Sequence, residues 1–260
     1  MGTDLTKLRN RLSSLKESTR KVGGLWKPKG KHQIRIVPYK YNPENPFIEL
    51  RFHYDLGGKN YLSPVSFGDA DPIVEFAEKM RATGDTESYK LSRKLMPKMR
   101  TYVPVIVRGE EEEGVRFWGF SKSSYEEILE IISDPEYGDI VDIKNGTDLE
   151  VTYVTPEEAG TTYGKITVRA KRKSSPLTDN PEQLKKWLDD QQEITEIYKV
   201  LNYDDLKDAL QEYLDIGDGD GGEPEEETSN AVEIEEKDDD ETVSSATEAF
   251  NKLFDRSSDK

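Results

Sequence analysis

Residues 94–122 read KLMPKMRTYVPVIVRGEEEEGVRFWGFSK, and this stretch decides the fold. Thr101 to Arg108 alternates and is rich in β-branched side chains, residues 109–114 are acidic and bounded by glycines, and Val115 to Phe120 is again β-like. Two such runs joined by a short turn predict a long β-hairpin. The hairpin is unusual because neither arm is polar on either face.

Strand alternation places Tyr102 on one face of the first arm and Trp118 on one face of the second. If one face of the hairpin packs a core, the other carries these rings, with Arg100, Arg116 and Lys122 close by. Exposed bases need aromatic faces to stack on, and their phosphates need positive charge. The hairpin is therefore predicted to form a platform for single-stranded nucleic acid.

Charge is distributed unevenly along the chain. Residues 1–108 hold 21 Lys and Arg against 11 Asp and Glu, residues 109–214 hold 12 against 25, and residues 215–260 hold 4 against 17. The net charge of −16 thus hides a first part with a net charge of +10. A basic part in an acidic chain favours a polyanionic ligand.

Several classes of protein and site are disfavoured by composition. The chain has no cysteine and only two histidines, His32 and His53, which excludes disulfides, thiolate metal sites and an all-histidine zinc site. No apolar run of 18 residues and no signal peptide is found, so we expect no membrane association. Without a nucleotide-binding loop, a nucleophile elbow or a histidine-based triad, we also expect no enzyme.

The rest of the chain predicts strands interrupted by helices. Strands are predicted at 33–37, 47–54, 59–65, 149–155 and 163–170. Helices are predicted at 71–82 and 87–96, after a capping box at 123–126, after the Asn180 cap, and from Asn202 onward. Five or more strands of this kind favour a barrel or a sandwich.

Both ends of the chain are distinctive. Lys7, Arg9 and Arg11 lie between leucines at near-helical spacing, which predicts a basic amphipathic arm that docks on its own domain or on a partner. From Asp215 the chain is too acidic to form a core, so an acidic disordered tail is predicted. Val243, Ala246, Phe250, Leu253 and Phe254 still have helical spacing, as in a segment that docks on a partner.

The order of these features resembles the single-stranded DNA-binding, or helix-destabilising, proteins of T-even-type bacteriophages. The matching stretches are colinear from about Trp26 to Ala170, and they are Trp26-Lys27, Ile34 to Pro38, Pro46-Phe47, Gly68-Asp69, Tyr89 ahead of a basic run, and Val115 to Ile128. The resemblance implies an OB-fold core, a five-stranded barrel, with a basic and aromatic cleft for single-stranded DNA. It also implies cooperative coating of strands in replication, recombination and repair, in the cytoplasm of an infected bacterial host.

Carried onto this sequence, the resemblance assigns functional residues. The cleft would contain Arg35, Tyr61, Tyr89, Lys90, Arg93, Lys94, Lys98, Arg100, Tyr102, Trp118 and Lys122, to which the hairpin pattern adds Arg116. The family's cooperativity motif, three basic residues and two hydroxyls, is spaced out in the arm as Lys7, Arg9, Arg11, Ser13 and Ser14 and contiguous only as Lys171, Arg172, Lys173, Ser174 and Ser175. The contiguous copy is equally compatible with a plain linker. The acidic tail would recruit replication and recombination proteins.

One departure from the family concerns zinc, which the family holds with cysteines and a histidine. His53 stands at the histidine position, but the cysteines are missing, so we expect no cofactor and ordinary packing around Ile73, Val74, Phe76 and Met80 instead. The predicted divisions are an arm at 1–22, an OB-fold core at 23–178, a helical extension at 179–214 and the tail at 215–260. The alternative is an RNA-binding protein of OB or cold-shock type, which would use the same platform. An acidic DNA mimic would not need the basic first part.

Overall fold

The computed structural model describes residues 24–216 and 240–254, and eight strands of these residues form one sheet. They are β1 (Leu25–Trp26), β2 (Lys31–Ile36), β3 (Ile48–Leu56), β4 (Lys59–Leu62), β5 (Lys98–Val107), β6 (Arg116–Phe120), β7 (Thr147–Val154) and β8 (Lys165–Ser174). Six strands follow the order β1-β6-β5-β2-β7-β8, while β3 pairs with β5 and carries β4. The fold is mainly β with added helices, as predicted, but β1 and β8 do not pair, so a closed five-stranded barrel is not confirmed.

The predicted hairpin is confirmed as β5 and β6. Their antiparallel register places Val103 opposite Trp118 and Tyr102 opposite Gly119. The turn is a short 3₁₀ helix, Glu111–Glu113, between Gly109 and Gly114, which have φ angles of 91° and 71°. Glycine reaches these positive φ values without steric cost, which explains why glycines bound the turn.

The eight described helices lie between and after the strands. They are α1 (Pro72–Ala82), α2 (Thr86–Leu95), α3 (Lys122–Ser133), α4 (Pro156–Ala159), α5 (Pro181–Asp189), α6 (Ile194–Ile197), α7 (Tyr203–Ile216) and α8 (Asp240–Phe254). Asp71 and Asn180 cap α1 and α5 as predicted, each accepting two backbone N–H bonds. None of the described helices is long and apolar enough to cross a membrane.

Two predicted boundaries are wrong for local reasons. The helix expected from a capping box at Ser123 begins at Lys122 with Ser121 as its N-cap, and the hydroxyls of Ser121 and Ser123 bond to each other. The strand predicted through residue 65 ends at Leu62, and a 3₁₀ turn, Pro64–Phe67, follows. Pro64 has no N–H to donate to a strand ladder, which explains the stop.

Two cores position the candidate site. The inner face of the sheet packs around Trp118, Phe120 and Ile34 under α3. Helices α1, α2, α7 and α8 surround a second core centred on Phe76, to which β3 contributes Leu56, and we call this unit the helical lobe. Ile73, Phe76 and Met80 are buried in it, as the packing prediction requires, while Val74 is half-buried.

The outer face of the hairpin is covered by the chain that follows β8. Leu177 and Trp187 pack against Ile106, and Ile194 packs in a cluster with Tyr102. The predicted helical extension therefore adheres to the sheet. The arm at 1–22 and residues 217–239 and 255–260 of the predicted tail lie outside the described residues.

Candidate nucleic-acid interface

Helix α2 presents cations and one aromatic ring on its outer face. Ser88, Ser92 and Leu95 are buried on the inner face, while Lys90, Arg93 and Lys94 are exposed. The Tyr89 ring is 44% exposed, and the guanidinium carbon of Arg81 lies 5.8 Å from its centroid. A cation over one ring face leaves the rest of the ring accessible and adds to its attraction for anionic ligands.

The cations of α2 continue into the start of β5. Burial lowers the pKa of Lys98, and the positive charge of Arg93 lowers it further. Two like charges, one from the last turn of α2 and one from the first residue of β5, therefore repel each other. A phosphate placed between them would relieve this repulsion and gain from both charges.

Arg100 lies two residues further along β5, on the same face as Lys98. Its Nη2 donates to the carbonyl oxygen of Gly119 at 3.1 Å. The neighbouring strand β3 places Phe52 opposite Lys98 and Leu50 opposite Arg100. The two cations thus border an aromatic cluster on the outer face of the sheet.

The accessible rim of that cluster consists of Tyr54 and Tyr198. Both are half-buried, and the Phe52 ring lies 6.0 Å from Tyr54 and 4.9 Å from Tyr198 between ring centroids. We define the α2–β5 surface as Tyr54, Tyr89, Lys90, Arg93, Lys94, Lys98, Arg100 and Tyr198. Six of these eight residues were predicted from the sequence. Lys122 lies at the same end of the hairpin, is exposed, and reaches Glu126 at 3.5 Å.

Two of the predicted aromatic residues, Trp118 and Tyr102, are not surface platforms. Trp118 is 0% exposed and packs against Trp26 and Phe120, so the prediction that its ring faces solvent is wrong. Tyr102 is 3% exposed, and its hydroxyl donates to that of Tyr198 at 3.0 Å. Burial, together with this hydrogen bond, raises the pKa of Tyr102. Tyr61 is half-buried against the helical lobe. Both faces of the hairpin are covered, which an apolar pattern on both faces allows.

Arg35 was predicted to contact phosphate, and this is also wrong in this structure because its side chain is fully buried. Its Nε donates to Asp148 Oδ1 at 2.6 Å, and its Nη2 donates to the carbonyl and hydroxyl oxygens of Ser175 at 2.7 Å. Asp148 also accepts hydrogen bonds from Arg108 and Gln33. Burial would raise the pKa of Asp148, but its bonds to Arg108 and Gln33 and the nearby charges outweigh burial and lower it. The network ties β2, β7 and the chain after β8 together.

The remaining predicted cations lie apart from the α2–β5 surface. Arg116, opposite Val105 at the other end of the hairpin, is half-buried and bonds Glu110 at 2.6 Å. Lys171 lies within β8 rather than after it and pairs with Glu150 at 2.5 Å. The hydrogen bonds of Lys171 and Lys31 lower the pKa of Glu150 to about 2. Arg172 and Lys173 are exposed on β8 at the opposite end of the sheet order.

Sequence reasoning missed three residues of this neighbourhood. Tyr54 lies at the end of the strand predicted at 47–54, on the same face as Phe52, and it is half-buried there. Tyr198 follows a four-residue helix without a strong pattern, so no local signal marked it. Arg51 is exposed on β3 opposite Met99. The alternation of its strand is visible in the sequence. Its proximity to β5 is not, because it depends on the pairing of β3 with β5, which are distant in the chain.

His53, which stands at the position of the family's zinc-binding histidine, has an oxygen partner at each ring nitrogen. His53 is fully buried, with Nδ1 2.7 Å from the carbonyl oxygen of Leu95 and Nε2 2.9 Å from Asp71 Oδ2. Asp71 Oδ2 also accepts the Ser63 hydroxyl. Both ring nitrogens are therefore engaged by oxygen acceptors, and the described residues contain no group of three or more histidine, cysteine or carboxylate side chains that could hold a metal ion.

Comparison with protein families gives a match over most of the chain. The family model described as gp32 DNA binding protein like matches residues 28–214. The matched range includes the whole α2–β5 surface. A search of curated proteins finds no match.

Proposed function

The chain belongs to the family of gp32-like DNA-binding proteins, and from this premise we propose that it binds single-stranded DNA along the α2–β5 surface. The match to the family model confirms the family that was predicted from the sequence, and it shows that the chain is a DNA-binding protein. The preference for single strands, the location of the site and the biological role are the further steps that we propose.

The observation that carries the location is the succession of cations in which Arg93, exposed in the last turn of α2, comes just before Lys98 at the start of β5. Burial lowers the pKa of Lys98, and the charge of Arg93 lowers it further. Such an arrangement favours a ligand with closely spaced negative charges. The backbone phosphates of a nucleic acid supply them, and Lys90 and Lys94 on the same helix extend the positive region.

The preference for single strands follows from the aromatic residues beside these cations. Tyr89 is exposed, and Tyr54 and Tyr198 are half-buried at the rim of the Phe52 cluster. Bases within a duplex are already stacked on each other, whereas unpaired bases can stack on tyrosine rings. The combination of rings and cations supports binding to unpaired strands.

The biological role extends the family membership. We propose that the sheet is a variant of the OB fold and that the protein coats single-stranded DNA during phage replication, recombination and repair. Lys7, Arg9 and Arg11 in the arm, with Lys171, Arg172 and Lys173, are proposed to contact the neighbouring molecule on the strand. We further propose that the protein acts without a metal, without catalysis, in the cytoplasm of an infected bacterium.

The test of this function is a fluorescence titration with oligo-dT, the same sequence as a duplex, and oligo-U of equal length. We expect the tightest binding to oligo-dT and a log-log salt slope of about −0.7 for each phosphate neutralised. Equal affinity for duplex and single strand would contradict single-strand binding. Tighter binding to oligo-U would favour the RNA-binding alternative.

The role of the arm is tested separately by deleting residues 1–22. An arm that reaches a neighbouring molecule contributes only where neighbours exist. The deletion should therefore weaken binding to a long poly-dT strand more than binding to an oligonucleotide that holds one molecule. Equal losses on both lengths would make the arm a plain phosphate contact or a folding element.

A further inference from the structure

The C-terminal helix α8 is a built-in part of the helical lobe rather than a free segment. Ala246 is 1% exposed and Phe250 is 4% exposed. The Phe250 ring lies 6.1 Å from that of Phe76, near perpendicular, and Lys207 Nζ lies 5.1 Å from the centroid of Phe254. The predicted helix is therefore confirmed, but its apolar face is occupied by the same chain, not held open for a partner.

Helix α8 packs against α1, α2 and α7. Its contact with α2 is important because one face of α2 is buried in the core of the lobe and the other face belongs to the α2–β5 surface. Leu91 and Leu95 anchor the inner face in the core that Phe250 completes. The outer face carries Tyr89, Arg93 and Lys94 of the α2–β5 surface, and Lys94 Nζ lies 5.4 Å from the Tyr213 ring of α7.

The orientation of α2 thus depends on how well this core is filled. Side chains in a protein core are closely packed, so a cavity created in the core shifts the helices and strands around it. A ten-residue helix does not hold its position by itself. Loss of the Phe250 ring would leave the inner face of α2 poorly packed. Helix α2 could then shift, and Arg93 would no longer be held in its position relative to Lys98.

We propose that α8 is a positioning element of the DNA-binding surface, with Phe250 as its anchor; this rests on the proposed function. The C-terminal region then has two parts of different character. Residues 217–239 contain eleven Asp and Glu against one Lys, whereas helix α8 packs in the helical lobe.

The first experiment separates the two parts by point substitution, which keeps the tail charge unchanged. Phe250→Ala empties the lobe core, and Asn251→Ala on the exposed side of the same helix is the matched control. Affinity for a short oligo-dT is measured across a salt series, alongside amide hydrogen exchange. We expect Phe250→Ala to weaken binding by about fivefold or more, the smallest loss when one stacked base is given up, and to flatten the salt slope. Exchange should rise in α2 but not in β2, β5 and β7.

The second experiment removes helix α8 from the chain and adds it back as a separate peptide. A chain ending at Asp239 keeps the acidic segment and lacks α8, and we expect it to bind more weakly than the full chain. A peptide of residues 240–254 should restore affinity, whereas the same peptide with Phe250→Ala should not. Restoration by added peptide distinguishes positioning of α2 from a change in charge.

The outcomes are distinct. If the full chain does not bind oligo-dT, the proposed function fails and this inference falls with it. If the full chain binds and both Phe250→Ala and the chain ending at Asp239 bind with the same affinity and salt slope, only the inference is overturned. It is also overturned if the shortened chain fails to fold, because α8 would then be a general folding element without a specific effect on α2.

Discussion

The ring of Tyr102 lies directly over Gly119 on the neighbouring strand of the hairpin. A Cβ atom at residue 119 would come within 2.6 Å of Cε1 of Tyr102 and 3.2 Å of Nε of Arg100. The glycine therefore provides the room in which the ring packs and the guanidinium reaches the Gly119 carbonyl. Gly119 thereby sets the position of one cation of the α2–β5 surface.

Gly119→Ala is expected to lower stability and affinity together. The added methyl group displaces Tyr102 and Arg100, and overpacking of this kind costs about 1 to 3 kcal/mol of unfolding free energy. Gly24→Ala is the control, since no atom lies within 4 Å of a Cβ built there. Thermal unfolding and oligo-dT binding of the two variants check this. Unchanged affinity of Gly119→Ala for oligo-dT would show that Arg100 does not contact DNA.

Trp118 and Tyr54 are expected to respond in opposite ways. Trp118→Ala removes a fully buried ring and should cost about 3 to 5 kcal/mol of stability, with little change in the affinity of the folded fraction. Tyr54→Leu should weaken binding by about 1 to 3 kcal/mol if a base stacks on its ring. Calorimetry and titration on both variants separate the two effects. A Tyr54→Leu variant that binds as well as the parent protein would remove this ring from the interface.

The hairpin illustrates what could be predicted from sequence and what could not. Alternation and the glycine-bounded turn predict β6 and the end of β5 to within one residue, although β5 begins at Lys98, three residues before its predicted start. The exposed face could not be chosen, because both arms are apolar on both faces and the cover comes from Trp187, Ile194 and Tyr198, some 70 to 100 residues away. The pattern of a strand reports that a face is covered, not which segment covers it.

Arg35 and Arg100 also show that local sequence does not reveal which side chains are buried. Arg35 and Arg100 each lie in an alternating strand of the basic first part, and nothing local distinguishes them. One is fully buried by Asp148 and Ser175, which lie more than 100 residues away in the chain, and the other borders the aromatic cluster. The cations of α2 were easier to predict, because the inner face of an amphipathic helix is marked by its own apolar residues.

Arg35→Gln is therefore expected to act on stability alone. Removing one partner of a buried ion pair leaves Asp148 with a poorly compensated charge and costs about 3 kcal/mol. The salt slope of oligo-dT binding should not change, because the number of phosphates neutralised by the protein stays the same. Chemical unfolding and a salt series on this variant check both statements. A flatter salt slope together with unchanged stability would show instead that Arg35 contacts DNA.

The buried pair of His53 and Asp71 predicts a dependence on pH. Burial would raise the pKa of Asp71, but its hydrogen bonds to His53 and Ser63 and the charge of His53 outweigh burial and lower it. The Tyr203 hydroxyl donates to Glu75 nearby, and the charge of Asp71 contributes to the raised pKa of Tyr203. A carboxyl group whose pKa is lower in the folded state stabilises the fold above its unfolded pKa, and this is lost as pH falls through the folded value.

Asp71→Asn should accordingly lower the unfolding free energy at neutral pH by about 3 kcal/mol, since it breaks a buried pair. The difference from the parent protein should begin to shrink below about pH 4, where Asp71 of the unfolded chain becomes protonated, and should shrink further as pH falls toward the lower pKa of Asp71 in the folded protein. Asp69→Asn changes an exposed carboxylate two residues away and is the control, which should have little effect. Urea unfolding from pH 3 to pH 7 gives the comparison. A difference that stays constant over this range would mean that the pair contributes no charge-dependent stability.

Binding of single-stranded DNA along the α2–β5 surface is tested by comparing two double variants that each remove two positive charges, Arg93→Gln with Lys98→Gln, and Arg172→Gln with Lys173→Gln on β8. Both are titrated with an oligo-dT that holds one molecule, across a salt series. We expect the first pair to weaken binding strongly and to reduce the salt slope by about 0.7 for each phosphate that is no longer neutralised, while the second pair leaves both nearly unchanged. Equal losses of affinity in the two double variants, or a larger loss for the β8 pair, would contradict the claim.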